Sequence, residues 1–538
     1  MKKILALLLA MMMVLGLVAC GGTDTGSQPS NSANTSVSSG DVSTDEEDTY
    51  KVFVFGSDAN CTTFSTVADL QNNSGGALQA SVGETLWTVD NEGNVECVLA
   101  ESYEWTGDLE LTIKLREGVT FSNGNPLTAE DVYYTLTMFR DGGRTASMVA
   151  AIDFENTVCD GNTIVLALNK YDAALFNTLG NNSFMIVDQE TVSAEGFNHS
   201  WLYGTGAYKL KGDGVTDKSG WEESVQYTLV RNENYWGEQP YYDEIIIKFF
   251  SEESTRYAEF QAGNLDACYL TEATYINNVG SGSVDGTYLI QLQSQAVSGI
   301  QFSAGKDSCG AMADINVRKA FVHALDIPAI VETLGEGIYG TATSILGEAN
   351  WAYSNVGTYS YDPDYAAECL AAAGYSVDNP LTLQVVAEST AFNSAVAEAC
   401  QAYLAEIGIN LDLSGMGDFP TILPVLLSGT QQVGMGSASS NSGNDPASLL
   451  QQFGPLSDNV MLRRNEDEMA PVFTDAAASR DHAERVQLYA EYQKLMNEGY
   501  YFLPMWVETK NYAASDEHPG FANALDGAMC FDATMLVD

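Results

Sequence analysis

Leu115-Arg116-Glu117-Gly118-Val119-Thr120-Phe121-Ser122-Asn123-Gly124-Asn125-Pro126-Leu127-Thr128-Ala129-Glu130-Asp131-Val132 joins three kinds of local structure in one run. Just before it, Leu109-Glu110-Leu111-Thr112-Ile113-Lys114-Leu115 alternates with period two, the pattern of a half-buried strand. Asn123-Gly124-Asn125-Pro126 then supplies turn residues, and Gly118 and Gly124 permit tight bends. Thr128 offers an N-cap oxygen, with Asp131 three residues on, and Val132, Leu136 and Phe139 follow at helical spacing. The run therefore reads as strand, turn and capped helix, all scaffold.

Working outward, Lys51–Phe55, Tyr227–Val230, Glu244–Phe250 and Leu265–Leu270 read as strands, with a helix from Ser254 or Thr255 to Gly263. The second half is more helical. Asp314 caps a helix carrying Val317, Phe321 and Leu325; Pro328 and Pro363 sit in first helical turns; Gly335, Gly374 and Gly408 close helices. Leu381–Val386 is a strand between them, and a last long helix spans Asp481–Glu498. Strands and helices alternate in mixed order, which predicts an α/β body of more than one lobe. No unit repeats at a fixed period, so a solenoid is excluded.

At 538 residues the chain exceeds one ordinary core, and 45% hydrophobic against 18% charged residues predicts that most of it folds. Lys and Arg total 23 against 72 Asp and Glu, a formal charge of −49 that repels phosphate backbones and excludes nucleic acid as a partner. His199, His323, His482 and His518 stand too far apart for a zincin motif, and His323, in an apolar helical stretch, reads as a core residue. No G-x-S-x-G occurs, and Gly204-x-Gly206 is too short for a dinucleotide fingerprint. The cysteines beyond Cys20 are widely spaced with no C-x-x-C, so they read as buried thiols, with one or two disulfides as the alternative. No cofactor is implied.

The N-terminus begins Met1-Lys2-Lys3, followed by an apolar run from Ile4 to Ala19, short for a membrane span and apt for an export signal. It ends in Leu17-Val18-Ala19-Cys20-Gly21, which resembles the lipobox of bacterial lipoproteins. That resemblance implies removal of residues 1–19 and diacylglycerol on Cys20, leaving the protein anchored at the outer face of the cell membrane. Residues 20–49, rich in Ser, Thr, Gly, Asn and Asp, read as a tether.

Seven further stretches, in order, carry a second resemblance. They are Leu99–Trp105 ("LAxSWE"), Leu115–Val132 ("LRxGVxFxxGxPxTAxDV"), Gly204–Leu210 ("GTGPYKL"), Arg231–Trp236 ("RNPxYW"), Gln261–Asp266 ("QxGxxD"), Val317–Asp326 ("VRxAxxxAIDR") and Tyr361–Tyr375 ("YDPxxAxxLLxxAGY"). Together they resemble the family 5 extracellular solute-binding proteins of ABC importers, the oligopeptide, dipeptide and nickel-binding group. The resemblance implies a bilobed fold of the class II periplasmic-binding-protein type with an additional smaller domain. Lobe I would combine 50–82, 190–295 and 502–538; the extra domain would be 83–189; lobe II would be 296–501.

It also implies a monomer that closes on an oligopeptide or similar small solute and delivers it to a membrane permease and its ATPase, with no catalysis. In peptide-binding members an Asp in a "WxxDYxxP"-like segment pairs with the ligand's α-amine. Aligning on Pro446 puts Ser442 at that position and Ser439 at the Trp, removing a charge-assisted hydrogen bond. Asp445 either substitutes or caps the helix starting at Pro446, and the cap is favoured. Ser440, Asn441 and Ser442 remain candidate hydrogen-bonders, Tyr269, Trp351 and Tyr353 candidate aromatic contacts, and Ser57 and Asp58 candidates at the end of the first strand. The rival classes are a lipid-anchored hydrolase and a surface receptor that does not transport.

Overall fold

The structure is a computed structural model and describes residues 50–58, 81–90, 93–142, 146, 148–195, 203–212, 217, 219–304, 310–428, 431–438, 445–451, 469–524 and 536. Cys20 and the 439–444 segment, with Ser440, Asn441 and Ser442, lie outside them.

The stretch that opens the sequence reading belongs to a small four-stranded antiparallel sheet of β4 (Ala100–Gly107), β5 (Glu110–Leu115), β6 (Ile152–Asp160) and β7 (Thr163–Leu168), in the order β4-β5-β7-β6. Beside it lies the hairpin of β2 (Trp87–Val89) and β3 (Val95–Cys97). Leu111, Ile113 and Leu115 alternate inward to pack with Phe121, Val132 and Phe139. The helix Ala129–Asp141 follows Thr128, whose backbone N–H and hydroxyl both donate to Asp131 Oδ2, at 2.8 and 2.7 Å. Asp131 Oδ1 also accepts from Gln189 N at 2.9 Å, so one buried carboxylate ties the helix start to the end of this body.

The remaining strands form one twelve-stranded sheet. It comprises β1 (Val52–Ser57), β8 (Tyr208–Leu210), β9 (Trp221–Glu222), β10 (Gln226–Arg231), β11 (Glu244–Phe249), β12 (Ala267–Leu270), β13 (Thr287–Phe302), β14 (Gly340–Thr341), β15 (Leu381–Glu388), β16 (Ile409–Gly417), β17 (Val433–Ala438) and β18 (Phe502–Ser515). Its order is β16-β15-β17-β13-β18-β12-β1-β11-β10-β8, with β14 on β18 and β9 on β10. In β1, Phe53 and Phe55 face one core with Tyr208, Leu229, Ile245 and Ile247. The opposite face packs on Tyr257, Phe260 and Leu265, reached by the helix Glu253–Gln261. At the other end of the sheet, Leu381, Leu383 and Val385 meet the helices Ile315–His323, Pro363–Ala372 and Ala391–Ile407. Asp314, Asp362 and Asp481 each accept a backbone N–H as N-caps, and Gly408 closes its helix at φ 99°.

The two halves of this sheet are joined by two long antiparallel strands, β13 and β18. Thr287–Gln293 pairs with Thr509–Ser515, and pairing resumes at Val297↔Val507. Residues 294–296 therefore face the single position 508, a bulge that bends the ribbon between the halves. Leu503, Met505 and Trp506 pack in the β15 core, whereas Tyr512 and Ala514 pack in the β1 core.

Candidate ligand cleft

Strand direction defines the cleft. β1 runs parallel to β11 and β12, so Ser57, Phe249 and Leu270 end on one edge. β15 runs parallel to β16 and β17, so Glu388, Gly417 and Ala438 end on another. Leu270 pairs with Asn511, and Ala438 pairs with Val297. Both partners sit beside the bulge. Each set of carboxyl ends thus points toward the bend in the β13–β18 ribbon, and the two edges oppose one another across it. Ligands of open α/β sheets bind at such edges, where loops leave the strands.

Three sequence candidates come together on the first edge. Ser57 is buried and its carbonyl accepts from Phe250 N at 2.9 Å, while Asp58 is exposed immediately after it. Tyr269 is half-buried on neighbouring β12, and its ring tilts against Tyr512 at 5.4 Å. Arg256 supports it from behind: its Nε donates to the Tyr269 carbonyl at 2.7 Å, and its guanidinium lies 6.0 Å from the ring. Glu253, beside Arg256 at 3.7 Å, accepts the backbone N–H groups of Thr271 and Glu272 at 2.7 and 2.9 Å, fixing the chain after β12.

Trp351 and Tyr353 lie elsewhere. The Trp351 ring is 4.6 Å from the His482 ring and 5.0 Å from the Arg485 guanidinium, so it packs on the helix His482–Glu498. Tyr353 exchanges a hydrogen bond with Thr343 Oγ1 at 2.6 Å. Asp445 is fully buried. Both its oxygens accept from Arg485 Nη2 at 2.8 Å, and Oδ1 also accepts Ala447 N at 2.9 Å. It is a helix cap held by an ion pair in which one guanidinium nitrogen serves both carboxylate oxygens.

Sequence reading missed several groups of this region. Gln291 donates to Asn511 Oδ1 at 2.9 Å across the ribbon, and Asn511 is buried where side chains next to the bend are set. On the second edge, partial burial, then the nearby Asp418 charge, push the Glu388 carboxyl up. An isolated Asn within a strand pattern was the only available signal for the first, and nothing local marks the second. His323 is a core residue: Nδ1 donates to the Ser360 carbonyl at 2.8 Å, and Nε2 lies 3.2 Å from the Tyr500 hydroxyl. An open pocket of about 520 Å³ lies by Glu101, Lys114, Arg116, Glu117 and Trp236, but its cations are engaged. Lys114 pairs with Glu101 at 2.6 Å, and Arg116 donates to the Val98 and Cys97 carbonyls. Among the described residues no group of three or more His, Cys, Asp or Glu could hold a metal ion.

The family model of bacterial extracellular solute-binding proteins, family 5 Middle, matches residues 94–459. The chain belongs to this family. The family 5 proteins are extracytoplasmic binding proteins rather than a family of enzymes, and this chain's role is solute binding. A supposed ABC transporter peptide-binding protein of Brucella ovis is 26% identical over 455 residues, spanning 80% of this chain and 82% of its own. NikA of Staphylococcus aureus, solved with Ni(L-His)2, matches with a TM-score of 0.74 at 17% identity over 91% of this chain and 100% of that one. DppA of Helicobacter pylori, solved with the peptide STSA, matches with a TM-score of 0.73 at 19% identity over 90% and 97%. The bilobed periplasmic-binding-protein fold follows. Among the described residues no helix is long and apolar enough to cross a membrane.

Proposed function

We propose that this family 5 protein captures an oligopeptide between its two lobes and delivers it unaltered to an ABC permease, held at the membrane by lipid on Cys20. The observation that carries the reading is the opposition of two carboxyl-end strand edges across a bulged two-strand ribbon. A solute touching both edges binds the closed form better and shifts the population toward it, so closure needs no covalent chemistry. Lobe I would comprise 50–82, 190–295 and the C-terminal segment, the extra domain 83–189, and lobe II the stretch from 296 onward. The packing of Leu503, Met505 and Trp506 supports moving the last boundary from 502 to about 508.

One observation favours a ligand without a free α-amine, such as a blocked peptide or a chelated metal. Aligned on Pro446, Ser442 stands where the family resemblance places the amine-pairing Asp, and Asp445 has both oxygens committed to Arg485. Native mass spectrometry of protein purified from its own host tests the assignment. A copurifying peptide supports it; a copurifying chelate moves it to the second reading; turnover of the bound molecule overturns both. Cys20→Ser should shift the protein from the membrane to the soluble fraction.

A further inference from the structure

The small-sheet body and the β15 body are linked through the chain only by way of lobe I and the β13–β18 ribbon, yet they touch directly. Arg480 follows the helix Met469–Ala478 and is exposed. Its guanidinium lies 4.6 Å from the Trp105 ring centroid and 4.2 Å from that of Tyr171, and it donates to the Asp108 carbonyl. The two rings are themselves 5.5 Å apart, making a ready seat for a planar cation. Beside it, Ala173 N donates to Ala477 O at 3.0 Å, and Ala174 is buried with Ala447, Phe473 and Ala476.

These polar and ring contacts of Arg480 all go to the extra domain, so its side chain does little for the fold of lobe II itself. A turn of lobe II about the bulged ribbon would draw Arg480 away from Trp105 and Tyr171, both carried by the extra domain. Five residues further on, Arg485 holds Asp445, the residue that follows the 439–444 segment, and Asp172 next to Tyr171 lies in the field of both.

We propose that Arg480 is a positioning residue for solute capture: clasped by Trp105 and Tyr171, it latches the extra domain to lobe II in the closed form and slows solute release. This rests on the solute-binding reading above. These contacts of Arg480 are all with protein groups, so the latch sets residence time for any guest and selects none.

Small-angle X-ray scattering of the full mature chain, without added solute, tests the latch independently of the ligand. Arg480→Ala should lower the closed-to-open ratio about tenfold, read as a larger radius of gyration, with the melting temperature nearly unchanged. Arg480→Lys keeps the charge but loses the planar stack, and should fall between. Tyr171→Leu removes one ring and should mimic Arg480→Ala, which covers the case of a poorly folding arginine variant. In stopped-flow binding with tri-alanine as the probe, the variant should show about tenfold faster dissociation and little change in association. Scattering identical to wild type in both Arg480→Ala and Tyr171→Leu overturns the latch, as does a full wild-type profile for Arg480→Lys. Failure of tri-alanine to bind the wild type counts against the peptide reading alone, because scattering still decides the latch.

Discussion

Replacing Arg485 by Met should strand a buried carboxylate. Asp445 is fully buried, and after the substitution only Ala447 N, at 2.9 Å, still donates to it among the bonds seen here. Removing one partner of a buried ion pair costs about 3–5 kcal/mol. The variant also loses the Arg485 Nε bond to the Ala476 carbonyl, 3.1 Å, and the stack on Trp351. For a lobe of roughly 200 residues, about 4 kcal/mol lowers the melting temperature by roughly 8–16 °C. Differential scanning calorimetry of the full chain reads this, and Asp445→Asn in the same molecule should restore much of the loss. A drop of under about 1 kcal/mol for Arg485→Met refutes the buried-charge argument. Asp445→Asn by itself should leave solute affinity within about twofold, since an engaged carboxylate contributes no charge-assisted bond to a guest. Abolished binding at unchanged melting temperature would instead make Asp445 the ligand's ammonium partner.

Other outcomes follow from the same packing. Cys268 and Cys400 are buried thiols pushed up to about 12 by burial, so alkylation at pH 8 should label them only when denaturant opens the fold, a difference mass spectrometry reads directly. Gly408→Ala should destabilise lobe II by more than about 1 kcal/mol, because φ is 99° and a Cβ there would lie 2.5 Å from Val377 N; a melting curve like wild type would contradict this. Asp172 is raised above its ordinary value, first by burial and then by Asp445, while Ala174 N, Lys170 and Arg485 act the other way. A raised carboxyl stabilises the fold only below its unfolded pKa near 4 and loses that contribution as pH rises through the folded value. Asp172→Asn should therefore melt higher than wild type at pH 7, with the gap closing near pH 4; a gap that widens toward acid would reverse the sign.

Much of the fold was legible locally. Leu109–Leu115 gave a strand and Thr128 with Asp131 gave a capped helix because alternation, caps and turn glycines act within a few residues, where sequence neighbours are spatial neighbours. Asp314, Asp362 and Gly408 marked helix ends for the same reason. The readings of Asp445 as a cap and His323 as a core residue also came from local context, and the structure gives each its partner.

What local pattern could not supply was the meeting of distant segments. Trp351 reads from sequence as a candidate aromatic contact, and only tertiary packing lays its ring against His482 and Arg485. The facing of Leu270 and Ala438 toward one bend depends on strand register across the β13–β18 ribbon, and no residue's immediate neighbours encode register between strands hundreds of positions apart. Arg480 carries no motif at all; only the approach of Trp105 and Tyr171, folded into a different body, turns an exposed cation into a clasp. Secondary structure and its ends were written in short-range chemistry, whereas the cleft and its latch arose from long-range contacts that exist only once the chain has folded.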